Sequence, residues 1–245
     1  MKKIIIANWK MQLNFTQSVR LAVDYKKMKT DSENELVVCP SEFALQKVGE
    51  ILSGSKIKLG AQNVFWKNNG AYTGEVSAET LRKLGCKYVL IGHSERRQNL
   101  GETDEMVNEK IKAALKVGLI PVICVGETLE EKKAKKGKAV LARQVRKALE
   151  DVKLGSQQLI LAYEPIWAIG TGQAIEPNEA DEQHYYLHSL LARSFGLTKA
   201  KKACRVIYGG SVDAKNSQDL LALKYVDGLL VGGASLDSGK MANIK

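Results

Sequence analysis

The 245-residue sequence holds a small set of side chains suited to moving a proton beside an anion. Glu164 stands directly ahead of Pro165. A proline biases the preceding residue toward extended backbone, which would let this carboxylate project from a strand end and act as a general base. His93 opens the polar run Ser94-Glu95-Arg96-Arg97, which reads as the first turn of a helix. The positive end of a helix disfavours an imidazolium, and a neutral imidazole can polarise a carbonyl. Gly209-Gly210-Ser211 and Gly232-Gly233 would let backbone N–H groups approach an anion, and Gly233 leads into a short helix whose N-terminus favours negative charge. Lys10 would add a point charge to the same anion. The bulky apolar stretch from Pro165 to Gly172 follows the base directly and reads as a lid that excludes water from a reactive carbanion. Each feature has a plainer reading: Glu164 in an ion pair with Arg97, the glycines in tight turns, and the 165–172 stretch packed permanently on the core.

These residues need a scaffold that brings them together. Short β-branched or apolar runs recur about every thirty residues, at 4–7, 36–39, 57–61, 88–91, 120–125, 159–162, 205–208 and 228–231. They are near-continuous and not alternating, as in parallel strands buried on both faces. Helical patterns fill the gaps. After Thr103, a good N-cap, Val107, Ile111, Ala114 and Leu115 fall on one face, and Gly118 follows as the stop. Eight short-linked strand-helix units predict an α/β fold, a closed (β/α)8 TIM barrel, because right-handed crossovers set each parallel strand beside its predecessor. An open doubly wound sheet is the alternative, but no Gly-x-Gly-x-x-Gly follows the first strand. In a barrel the active site lies at the C-terminal strand ends. That rule gathers Asn8, Trp9 and Lys10, then His93, Ser94 and Glu95, then Glu164 and both glycine pairs onto one rim.

Bulk properties agree with one soluble enzyme domain over residues 1–245. Apolar residues make up 44% of the chain and there are four prolines, with no linker rich in Pro, Gly or polar residues. No run approaches the ~18 apolar residues of a membrane span, and the N-terminal apolar run is too short for a signal segment. No membrane association and a cytoplasmic location are therefore expected. Cys39, Cys86, Cys124 and Cys204 show no metal or redox spacing and are expected as reduced, buried thiols. The formal charge of +10 fits either a field that attracts anions or a nucleic-acid surface. The densest lysine cluster, at 132, 133, 135, 136 and 138, has no interleaved aromatic for base stacking, so it reads as a solvated face and no nucleic-acid partner is expected.

Five segments in order, Asn8-Trp9-Lys10-Met11, Gly92 to Arg97, Ala162 to Gly172, Tyr208 to Val212 and Gly232 to Leu236, resemble the triosephosphate isomerase family from end to end. The resemblance implies interconversion of dihydroxyacetone phosphate and glyceraldehyde 3-phosphate through an enediolate, without cofactor or metal. It assigns Glu164 to the carbon proton, His93 to the carbonyl, and Lys10 and Asn8 to stabilising negative charge. Gly170, Ser211, Gly232 and Gly233 would bind the phosphate, Glu95 would support Lys10, and Tyr208 with Ser211 would latch the lid. Residues 62–75 match the family's third loop, which implies a homodimer with Thr73 approaching Asn8 and Lys10 of the other chain. Phe65 and Trp66 in this polar loop suggest an interface on their own account; alternatively they fold back onto their own barrel. Gln12 stands where the family usually has Asn, and the short sequence after Leu236 predicts a shortened C-terminal helix.

Overall fold

The computed structural model describes residues 2–28, 34–169 and 175–244. Eight strands, β1 (Ile4–Asn8), β2 (Glu35–Cys39), β3 (Lys58–Ala61), β4 (Cys86–Ile91), β5 (Ile120–Val125), β6 (Leu159–Tyr163), β7 (Cys204–Tyr208) and β8 (Gly228–Val231), follow one another around a closed barrel. Every neighbouring pair is parallel, and β1 closes onto β8. The eight runs expected from sequence are these strands, shifted by one or two residues at their ends.

The strands alternate although their sequences do not. Ile4, Ile6, Val37, Cys39, Ile160, Ala162, Ile207 and Leu230 belong to an inner cluster, while Ile5, Ala7, Val38, Leu161 and Val206 pack in the outer layer with the helices. Both faces are buried, so both are apolar. Successive side chains on a strand point to opposite faces, and the inward parity therefore runs from Ile4 and Ile6 to Asn8, from Ile160 and Ala162 to Glu164, and from Leu230 to Gly232. Backbone periodicity alone aims these positions at the barrel mouth.

The opposite mouth is closed by charge. Glu35 Oε1 accepts from Tyr88 Oη at 2.7 Å and Lys87 Nζ at 2.9 Å, and Arg205 reaches Oε2 at 3.3 Å, so one carboxylate joins β2, β4 and β7. The helix Asp104–Lys116 starts on the Thr103 side chain, which accepts from Met106 N–H, and Gly118 follows it at φ +78°. The last helix is indeed short, Ser238–Ala242. It still covers its end of the barrel, because Met241 and Ile244 are buried in the outer core and Tyr25 Oη donates to Ser235 O at 2.7 Å. All four cysteines are free and buried. Among the described residues, no helix is long and apolar enough to cross a membrane.

Candidate active site

Lys10 sits just beyond β1 with φ +51°, a conformation that costs a non-glycine residue free energy unless its surroundings over-determine it. They do. Asn8 Oδ1 accepts its N–H at 3.0 Å, and Ser41 Oγ and Gln62 Nε2 both donate to its carbonyl at 2.8 Å. The ends of β1, β2 and β3 thus combine to hold one backbone turn. Its ammonium meets Glu95 Oε1 at 2.6 Å, which orients the side chain toward the barrel axis.

The end of β4 supplies the imidazole. His93 is the N-cap of the helix Ser94–Leu100, and its Nδ1 accepts from Glu95 N–H. A neutral ring with Nδ1 as acceptor carries its proton on Nε2, the nitrogen that lies 3.3 Å from Glu164 Oε1. That oxygen has no hydrogen bond of good geometry, so the approach is one of proximity. Glu164 is 1% exposed, and its Oε2 accepts from Ser94 N–H at 2.9 Å. The carboxylate is therefore turned to the N-terminus of this helix, where orphan N–H groups and the helix dipole favour an anion. The plainer reading of Glu164, an ion pair with Arg97, is not what the structure shows: that guanidinium binds Asp104 at 2.6 Å and the Gly92 carbonyl at 2.7 Å. Cys124 packs beside Glu164; burial first, and the carboxylate second, push its thiol well above the ordinary range, which keeps it a neutral neighbour.

The ends of β7 and β8 supply the cradle. A Cβ on Gly210 would fall 2.2 Å from Tyr208 Oη, and one on Gly232 would fall 3.3 Å from Lys10 Cε. A side chain at the first would force the Tyr208 ring or the loop to shift, whereas one at the second would only crowd the flexible Lys10 side chain. Among the described residues, the N–H groups of Ser211, Gly232 and Gly233 donate to nothing. Gly233 opens a 3-10 turn, Gly233–Leu236, shorter and tighter than the helix expected there. These groups share a cavity of about 220 Å³ with Asn8, Lys10, His93 and Ile169. One cation and a set of unused donors face the same volume, which suits an anionic group at one end and a polarisable carbonyl near His93 at the other.

A model of the family described as triosephosphate isomerase matches residues 3–245. The chain belongs to the triosephosphate isomerase family. A triosephosphate isomerase of Moorella thermoacetica is 46% identical over 245 residues, covering 99% of this chain and 97% of its own length. Those of Endomicrobium trichonymphae and Dictyoglomus thermophilum are 43% and 42% identical, covering 97% and 99% of this chain and 95% and 98% of their own.

In this family member the cavity brings together Asn8, Lys10, His93, Ser211, Gly232 and Gly233, six of the positions singled out in the sequence. Glu95 supports Lys10 from its edge, and Glu164 stands behind His93 instead of lining the cavity. Tyr208 is buried, its hydroxyl beside Gly210 and without a hydrogen bond of good geometry. Gly170 lies outside the described residues, as does most of the far half of the expected lid. Thr73 is exposed in the 62–75 loop, where the half-buried Phe65 ring lies against Trp66 and Tyr72, with ring centroids 4.0 and 4.7 Å apart. Ile169, within the expected lid, does line the cavity. Ser41 and Gln62, which hold the Lys10 carbonyl, and Glu127, which holds Trp167, were not singled out in the sequence; they follow β2, β3 and β5 closely, so the strand-end rule applied to every strand would have found them.

Proposed function

We propose that the chain interconverts dihydroxyacetone phosphate and D-glyceraldehyde 3-phosphate. The carrying observation is one cavity in which Lys10, His93 Nε2 and unused N–H groups converge with Glu164 at 3.3 Å from the imidazole. The phosphate would take the N–H groups of Ser211, Gly232 and Gly233, with Gly170 as a further donor, as a glycine-lined turn can offer. Lys10 would supply charge at the join between phosphate and carbon chain. Fixing the phosphate sets the carbonyl against His93 and the adjacent carbon against Glu164, and that positioning supplies much of the rate. Glu164 swings from Ser94 N–H to take the carbon-bound proton. Charge then develops on the carbonyl oxygen, where His93 Nε2–H, Asn8 and Lys10 stabilise it as the enediolate. His93 relays protons between the two oxygens, and Glu164 returns its proton to the neighbouring carbon. Each proton that leaves one atom is delivered to another by Glu164 or His93, so the scheme balances with these side chains alone. Pro165 to Gly172 would act as a lid, with Tyr208 and Ser211 as its latch, keeping water from the intermediate.

We also propose a homodimer through loop 62–75, with Thr73 of one protomer approaching Asn8 and Lys10 of its partner. Exposed apolar side chains in the segments that follow β1, β2 and β3 support it: Met11 is 90% exposed, Phe43 58% and Tyr72 44%, and covering them with a partner would remove apolar surface from water. Reduced cysteines fit a cytoplasmic location. The test is turnover of glyceraldehyde 3-phosphate by purified protein, read by enzymatic detection of dihydroxyacetone phosphate, with Lys10→Met beside it. Wild-type turnover and a variant that loses most of it are expected; no turnover by wild type would reject the assignment.

A further inference from the structure

Lys132 departs from the basic cluster that contains it. Lys133, Lys135, Lys136 and Lys138 are exposed, but the Lys132 ammonium lies 3.4 Å from the centroid of the Trp167 ring and 2.7 Å from Glu179 Oε1. A cation that close to an indole face is attracted by the ring's quadrupole. Trp167 belongs to the 3-10 turn Ile166–Ala168, three residues beyond Glu164 and two before Ile169, which lines the cavity. Its edge is held as well. Indole Nε1–H donates to Glu127 Oε1 at 2.8 Å, Tyr163 Oη donates to the same oxygen at 3.0 Å, and Ile166 N–H donates to the Glu127 carbonyl at 3.1 Å. Burial, partly offset by these donors, raises the Glu127 pKa above its ordinary value.

The support for this grip is local and rigid. Lys132 lies on the five-residue helix Leu129–Lys133, whose start is fixed by a reciprocal cap between Thr128 and Glu131. Glu179 lies in the first turn of the helix Pro177–Phe195. One ammonium therefore joins the turn that follows the base to the helix that begins shortly after position 175.

We propose that Lys132 is a positioning residue for the reaction: through Trp167 it holds residues 165–169 so that Ile169 faces the cavity and Glu164 keeps its approach to His93. This rests on the isomerase reading above. Lys132→Met keeps the stem and removes the charge, Lys132→Arg keeps a cation over the ring, and Glu179→Gln removes only the ion pair. A lost cation–π contact of about 1.4 kcal/mol corresponds to tenfold, so kcat of Lys132→Met is expected to fall about tenfold with KM changed less than threefold. Lys132→Arg should stay within twofold of wild type, and Glu179→Gln within threefold. Unchanged kcat in Lys132→Met, or Lys132→Arg as impaired as Lys132→Met, would overturn the proposal. A second readout does not depend on turnover. Trp167 emission, isolated as the difference from Trp167→Phe in each background, should shift in Lys132→Met, and its titration with glycerol 3-phosphate should need more ligand. If wild type shows no isomerase turnover, the isomerase reading fails and the emission alone decides on Lys132: identical emission and titration in wild type and Lys132→Met would overturn its role.

Discussion

The carboxylate of Glu164 accepts a backbone N–H and sits beside a neutral-competent imidazole, so its chemistry and its packing separate under substitution. Glutamine keeps an oxygen for Ser94 N–H but cannot accept a carbon proton. Glu164→Gln is thus expected to lower kcat by about 10³-fold, within the range of a lost general base, while circular dichroism and melting temperature stay close to wild type. Gly210→Ala gives a different result, because its Cβ would meet Tyr208 Oη at 2.2 Å. The loop must move, and KM for the phosphorylated substrate should rise by more than kcat falls. Asn8, Lys10, His93 and Glu164 were legible from sequence because their type and their place after a strand coincide. Ser41 and Gln62 act through hydroxyl and amide contacts to the Lys10 carbonyl, contacts that residue type does not announce. The orientation of Glu164 was not legible either, since it depends on Ser94 N–H, seventy residues away.

Elements, not residues alone, place the imidazole. Gly92, just before His93, has φ +74°; its N–H donates to Glu102 Oε1 at 2.9 Å and its carbonyl accepts from Arg97. Glu102 is buried, with Arg96 at 2.5 Å and Lys110 at 2.8 Å on its other oxygen, and Lys110 also donates to Asn63 Oδ1 at 2.8 Å. Burial works against the Glu102 charge, yet the hydrogen bonds and charges of Lys110 and Arg96 prevail and hold its pKa below the ordinary 4.5. Burial also lowers the Lys110 pKa against the pull of Glu102, so the pair recovers only part of its desolvation. A carboxyl whose folded pKa is depressed stabilises the fold above its unfolded value and loses that contribution as pH falls through the folded one. Stability is therefore expected to hold above about pH 4.5 and to fall below it, by less in Glu102→Gln. A chemical-denaturation series against pH checks this, and Lys110→Met, which leaves the buried Glu102 carboxylate with Arg96 but without Lys110, should lower stability at neutral pH by less than the ~3–5 kcal/mol of a fully stranded buried charge. The helix start at Thr103 was legible from its cap and apolar stripe, whereas this network was not, because its members come from three loops, at Asn63, Gly92 and Glu102, and from the two helices that carry Arg96 and Lys110.

At the scale of the whole molecule, the barrel was legible because eight buried parallel strands must be apolar on both faces and must recur with helices between them. The closed end was not: Glu35, Lys87, Tyr88 and Arg205 meet only once the strands have curled into a ring. A charge of +10 should steer a dianionic substrate, so kcat/KM should fall as salt rises from low to physiological strength; a flat profile would remove that role. The dimer proposal predicts twice the 26.9 kDa chain mass by light scattering across a dilution series, and a persistent monomer would reject it. The central claim is that Glu164 moves a carbon-bound proton between adjacent carbons of a triose phosphate. The most direct measurement follows glyceraldehyde 3-phosphate in deuterium oxide by proton NMR, with wild type and Glu164→Gln side by side. Dihydroxyacetone phosphate carrying solvent deuterium on carbon, formed by wild type and nearly absent with Glu164→Gln, is the expected result; equal product and equal labelling from both proteins would contradict it.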